Sequence, residues 1–136
     1  MKNIYLLKIL FLIGSSFINA EVLSNIKIKS DKVEFEVDFN KISFLDNVSI
    51  DSKYISISAS SAVYDDKNKV INMSGAPSKI TSNKENNIFY GLADKILFFN
   101  NERVHLIGNA TMEYEGISIT SNLIIFNPIT GNISTE

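Results

Sequence analysis

The chain has 136 residues, of which 45% are hydrophobic and 21% charged, with a formal net charge of −2. That length holds one domain, and the mildly acidic balance leaves no basic face to attract nucleic acid. There is no cysteine for disulfides or thiolate sites, and the six glycines show neither a G-x-G-x-x-G nor a Walker spacing for a nucleotide.

The first twenty residues differ from the rest. Lys2 precedes an apolar stretch over 4–13 interrupted by Lys8, then Gly14-Ser15-Ser16 and Ile18-Asn19-Ala20 before Glu21. A basic start, a short apolar middle and a small residue at the cut point describe a secretory signal peptide, cleaved after residue 20. The alternative is a retained anchor. A membrane span takes about 20 predominantly apolar residues, and Lys8 and Asn19 shorten this one. The mature chain, 21–136, then carries 11 basic and 15 acidic side chains, a net charge of −4.

From Ile26 onward one phrase occurs four times: alternating apolar residues, a turn-prone polar residue, then alternating apolar residues again. The copies are Ile26-Ile28-Ser30-Asp31-Val33-Phe35, Ile55-Ile57-Ala59-Ser60-Ala62-Tyr64, Phe89-Gly91-Ala93-Asp94-Ile96-Phe98 and Ile117-Ile119-Ser121-Asn122-Ile124-Phe126. Period two predicts strand. At the polar residue the parity flips from even to odd, or odd to even, so a bulge or corner must lie there if both arms are to face inward. A unit of this kind cannot bury its apolar face alone and must stack on its copies.

Between phrases run polar turns, at Asn40-Lys41, 65–69, 100–103 and 127–132, each followed by a second alternating segment. These segments meet a second corner at Asp46-Asn47-Val48, Ser74-Gly75-Ala76 and Gly108-Asn109-Ala110, 19 or 20 residues after each phrase begins. Lys84-Glu85-Asn86-Asn87 reads as an exposed loop. No stretch shows a 3.6-residue apolar stripe, so essentially no helix is expected. The prediction is an all-β stack of about 16 short antiparallel strands. Its inward set is Ile26, Ile28, Val33, Phe35, Phe44, Ile57, Tyr64, Ile80, Ile96, Phe98, Leu106, Ile119, Ile124 and Phe126. Neither end looks like a polar cap, which predicts end-to-end growth or strand addition onto partners.

Catalytic chemistry finds little support. His105, the single histidine, lies between Val104 and Leu106 and is expected to point outward. Asp65-Asp66 falls in a turn, and Glu113 and Glu115 on an outer face. No enzyme activity, metal or cofactor is expected.

The corner phrases, with Ile26-Lys27-Ile28-Lys29-Ser30-Asp31-Lys32, Ile55-Ser56-Ile57-Ser58-Ala59, Gly75-Ala76-Pro77 and Leu106-Ile107-Gly108-Asn109-Ala110, resemble the OstA-like repeat of the LptA family of lipopolysaccharide-transport bridge proteins of the Gram-negative periplasm. The resemblance runs from about Ile26 to Ile133. Ser60 stands where the family has Asp, and Asp46 where it has Gly. It implies a slightly twisted open β-jellyroll over 21–136, whose inward set is a lipid-binding groove for the acyl chains of lipopolysaccharide. It also implies a location in the periplasm, soluble after cleavage, and a role in outer-membrane assembly. The implied partners are an inner-membrane-anchored OstA-like homologue at the N-terminal edge, the outer-membrane translocon at the C-terminal edge, and further copies head to tail. Two alternatives stand beside this: an anchored homologue of the same pathway, and a structural or adhesive β-repeat protein with a filled core.

Overall fold

The computed structural model describes residues 26–83 and 88–136. The proposed signal peptide at 1–20 and the loop at 84–87 lie outside the described residues. Those described form one antiparallel sheet of nine strands: β1 (Lys27–Lys29), β2 (Lys32–Glu36), β3 (Lys41–Asp51), β4 (Ile55–Asp65), β5 (Val70–Ser82), β6 (Phe89–Phe99), β7 (Val104–Tyr114), β8 (Ile117–Phe126) and β9 (Ile133–Thr135). Each strand follows its predecessor in space, except that β1 and β2 both pair with β3. A single 3-10 turn, Val37–Phe39, is the helical element among the described residues.

The expected short arms are halves of longer strands. β3 to β8 run through the corners, and the register slips at each one: between Leu45 and Val48, Ser58 and Ser61, Ser74 and Ser78, Leu92 and Lys95, and Ile107 and Ala110. The slip is what restores an inward face to the second arm after the parity change. At two corners the sequence motif has a visible cause. Asn47 donates its side-chain amide to Asp31 Oδ2 at 2.7 Å, and Asn109 to Asp94 Oδ2 at 3.0 Å. Asp46, Asn47, Gly108 and Asn109 all have left-handed backbone angles, which Asn, Asp and Gly tolerate best. The phrase aspartate and the later Asn are thus two sides of one stitch. Repeat two, with Ser60, lacks it and has the longest bulge instead, at Gly75-Ala76-Pro77.

The corners divide the sheet into two walls. The first comprises β1, 48–51 of β3, 55–59 of β4, 78–82 of β5, 89–93 of β6, 110–114 of β7 and 117–121 of β8. The second holds β2, the other halves and β9. The walls close on each other. Phe89 and Phe98 stand at opposite ends of β6, which would separate them by roughly 30 Å if the strand were straight. Yet Phe89 meets Phe126, in line with Phe98 on the second wall, with ring centroids 4.5 Å apart. Tyr114 adds a third ring, 5.9 Å from Phe126.

The sheet does not close end to end among the described residues. β1 and β2 are unpaired on one side, as are β9 and the 117–121 arm of β8.

Candidate functional site

Register turns the inward residues into rows that cross the strands. Across the first wall runs Ile28–Ile50–Ile57–Ile80–Gly91–Met112–Ile119, one residue from each of seven strands. Across the second run Val33–Phe44–Ala62–Met73–Ile96–Leu106–Ile124 and Phe35–Ile42–Tyr64–Ile71–Phe98–Val104–Phe126–Ile133. Strands lie about 4.8 Å apart, so each row is an apolar strip roughly 30 Å long. Such pairing is also the unit of sheet stabilisation, since β-branched and aromatic neighbours on one face pack directly.

All fourteen residues singled out by sequence lie on or against these strips. Eleven are buried, and Ile26, Phe35 and Ile119, near the two ends, are partly buried. The sequence pattern did not single out Val48, Ile50, Ile71, Met73, Val104 and Met112, which are buried among them. The alternation of the second segments was the signal that could have found them. At the corner the inner face narrows to small side chains, Ala59, Ala62, Ser78, Ala93 and Ala110, as a sharp bend requires.

Among the described residues the lining is closed to solvent. At Gly91 the walls come close: a Cβ there would stand 2.9 Å from Ile80 Cγ2 on its own wall and 3.3 Å from Leu106 Cδ2 on the opposite wall. The two ends differ from the middle. Val37 (82% exposed) and Phe39 (68%) project beside the β2 edge, and Ile117 (63%) along the β8 edge.

The polar groups serve structure. Asp65 Oδ1 accepts from the backbone N–H of Lys67 and Asn68, and its Oδ2 from the Asn68 side chain. These bonds, the Asn68 amide first, hold the carboxyl below its ordinary range. Asp66 accepts from Lys69 Nζ at 2.7 Å and from the Tyr64 hydroxyl at 3.0 Å, and is lowered chiefly by Lys69. The buried Tyr64 hydroxyl is pushed up, by burial first and by Asp66 second. His105 faces outward as expected but is not bare. Its ring lies 4.8 Å from Phe99, and burial, then Arg103, lowers its pKa below the ordinary 6.5. No group of three or more His, Cys, Asp or Glu among the described residues could hold a metal ion.

A protein-family model described as LptA/(LptD N-terminal domain) LPS transport protein matches residues 27–132. Among solved structures the chain is similar to LptH of Pseudomonas aeruginosa, the LptA-homologous periplasmic component of the lipopolysaccharide transport device. The TM-score is 0.72 at 16% identity, covering 81% of this chain and 80% of that one. No curated protein sequence matches.

Proposed function

The chain belongs to the LptA/(LptD N-terminal domain) family of lipopolysaccharide-transport proteins, and on that premise we propose that it is a periplasmic carrier that shields lipopolysaccharide acyl chains between its two walls. The observation that supports this most is the set of three unbroken apolar rows on the inner face of a sheet that, among the described residues, is open at both ends. A stabilising core needs apolar residues. It does not need them in continuous strips reaching the ends of the molecule, where Phe35, Ile119 and Ile133 are only partly covered.

Because the walls meet, loading means parting them about the corner. Bulges and small residues form the hinge there, and the Phe89–Tyr114–Phe126 cluster is the latch. Each acyl methylene removed from water gains about 0.8 kcal/mol, while parting the walls gives up apolar contact of the same kind. The exchange is nearly balanced, so a chain can enter and slide without being held at one place. The energy for direction comes from outside this chain, which acts as carrier and not catalyst.

The edges left unpaired among the described residues supply the ends of a bridge. The N-terminal edge, β1 and β2 with Val37 and Phe39, receives the membrane-anchored homologue of the inner membrane. The C-terminal edge, β9 with Ile117–Ser121 of β8, receives the outer-membrane translocon, and the two edges also join copies head to tail. An exported, cleaved chain of 21–136 fits this placement.

Photo-crosslinking in cells tests the reading. A crosslinker at Ile57 or Phe98 should capture lipopolysaccharide, and one at the exposed Lys67 should not. Capture of protein alone at both inner positions would favour a structural β-repeat instead.

A further inference from the structure

One unpartnered hydroxyl breaks the apolar interior. Ser78 is 0% exposed, the one buried polar residue among the described residues, and its Oγ has no hydrogen-bond partner. It alternates with Ile80 on the inward face of β5 and pairs across β6 with Ala93, which is itself fully buried. Its immediate setting is the longest bulge in the sheet. Toward β4 the ladder resumes only at Lys79, so four β5 residues, Gly75 to Ser78, face two on β4. A Cβ on Gly75 would come within 2.8 Å of Ser78 Oγ, 2.9 Å of Ser78 N and 3.0 Å of the Pro77 carbonyl carbon, so glycine lets the bulge fold back against the hydroxyl.

An unpartnered hydroxyl in such a place is costly, because burial removes its water without returning a bond. Alanine has the bulk for the site without that cost, and alanine already occupies the corner at 59, 62, 93 and 110. We propose that Ser78 is a polar subsite within the interior, hydrogen-bonding to a hydroxyl carried on the hydrocarbon of a bound acyl chain. A hydroxyl is the fitting partner, since it donates and accepts as Ser Oγ does. A hydroxylated chain would in turn leave its own oxygen unsatisfied against any purely apolar stretch of the walls. The subsite therefore sets a preferred resting position on a surface that is otherwise uniform. This inference rests on the carrier reading.

The test is competitive binding of 3-hydroxytetradecanoic and tetradecanoic acid to purified protein, for the wild type, Ser78→Ala and Gly75→Ala. Thermal melts confirm that each variant is folded. The wild type should prefer the hydroxylated chain by about 3- to 10-fold, the worth of one buried hydrogen bond. Ser78→Ala should lose the preference while keeping its affinity for the plain chain, and should melt no lower than the wild type. Gly75→Ala, which keeps the hydroxyl but displaces it by pressing on Ser78 Oγ and on the bulge backbone, should lose it as well. A wild type that binds both acids equally, or a Ser78→Ala variant that still discriminates, overturns the inference and leaves the carrier reading standing. A wild type that takes up neither acid overturns the carrier reading, and this inference with it.

Discussion

Gly91→Ala tests whether the walls part. The added methyl would press on Ile80 Cγ2 at 2.9 Å and on Leu106 Cδ2 at 3.3 Å. Both side chains are fully buried and cannot swing into solvent. Overpacking costs about 1–3 kcal/mol, against about 0.5–1 kcal/mol recovered by replacing a strand glycine. The steric cost wins, and the empty protein should lose about 1 kcal/mol in urea unfolding. The two contacts differ in what relieves them. Ile80 is the register partner of Gly91 on the same wall and should stay in place, whereas on the proposed carrier reading Leu106 should recede when an acyl chain enters. A change that destabilises only the closed form raises the apparent affinity for whatever opens it. If Leu106 carries half of the strain, binding of a fluorescent fatty acid should tighten about twofold, and further for Gly91→Val. Unfolding of Gly91→Ala, Leu106→Ala and the double variant should also show the two positions to be coupled. The reasoning is refuted if Gly91→Ala weakens acyl binding, or if it destabilises equally with and without Leu106.

Other substitutions separate shielding from folding. Phe98→Asp buries a charge at a site 1% exposed and should abolish folding, seen as lost signal in circular dichroism. Ile119→Asp, at the partly covered C-terminal end, should fold but transfer no lipopolysaccharide to a downstream acceptor, as read by crosslinking. Asp94→Ala removes the stitch to Asn109 and should cost about 1 kcal/mol in urea unfolding. Below the ordinary imidazole value near 6.5, the unfolded chain takes up a proton that folded His105 resists, because burial lowers its pKa. Stability due to this residue therefore falls as pH drops through that value. His105→Gln should remove that part of the slope as the pH falls through about 6.5. Glu102, raised by burial, acts in the opposite sense at lower pH, so the difference between wild type and variant isolates the imidazole.

Much of the fold was legible because alternation and parity are local. The flips at Asp31, Ser60 and Asp94 lie at the bends, and Asn47 and Asn109 sit where the second corners were expected. Strand continuity was not legible, since a parity flip looks the same whether the strand breaks or bulges. That difference turns on backbone bonds to neighbouring strands. Nor could alternation report depth. It assigns Phe98 and Leu106 to the inner face, but not that Leu106 touches the opposite wall near Gly91, a contact between positions unrelated in register. Ser78 drew no notice, because a serine in a strand is ordinary until the walls around it are known.

A closed interior and a carrier role are compatible on physical grounds. Were the walls apart without lipid, three strips of Ile, Phe, Leu, Met and Val would face water across some 30 Å. A patch of that size invites aggregation, and the unpaired edges would compound it. Closing the walls on each other protects the lining until an acyl chain replaces it. What distinguishes such a core from a permanent one is how it fails. A permanent core loses packing wherever it is opened, whereas a carrier's can part along one line. Here that line runs from the Phe89–Tyr114–Phe126 cluster to a corner of alanines and bulges. Ordering of the latch by added fatty acid is therefore unexpected; loosening is expected, as faster exchange of the backbone amides in β8 while those at the corner remain protected.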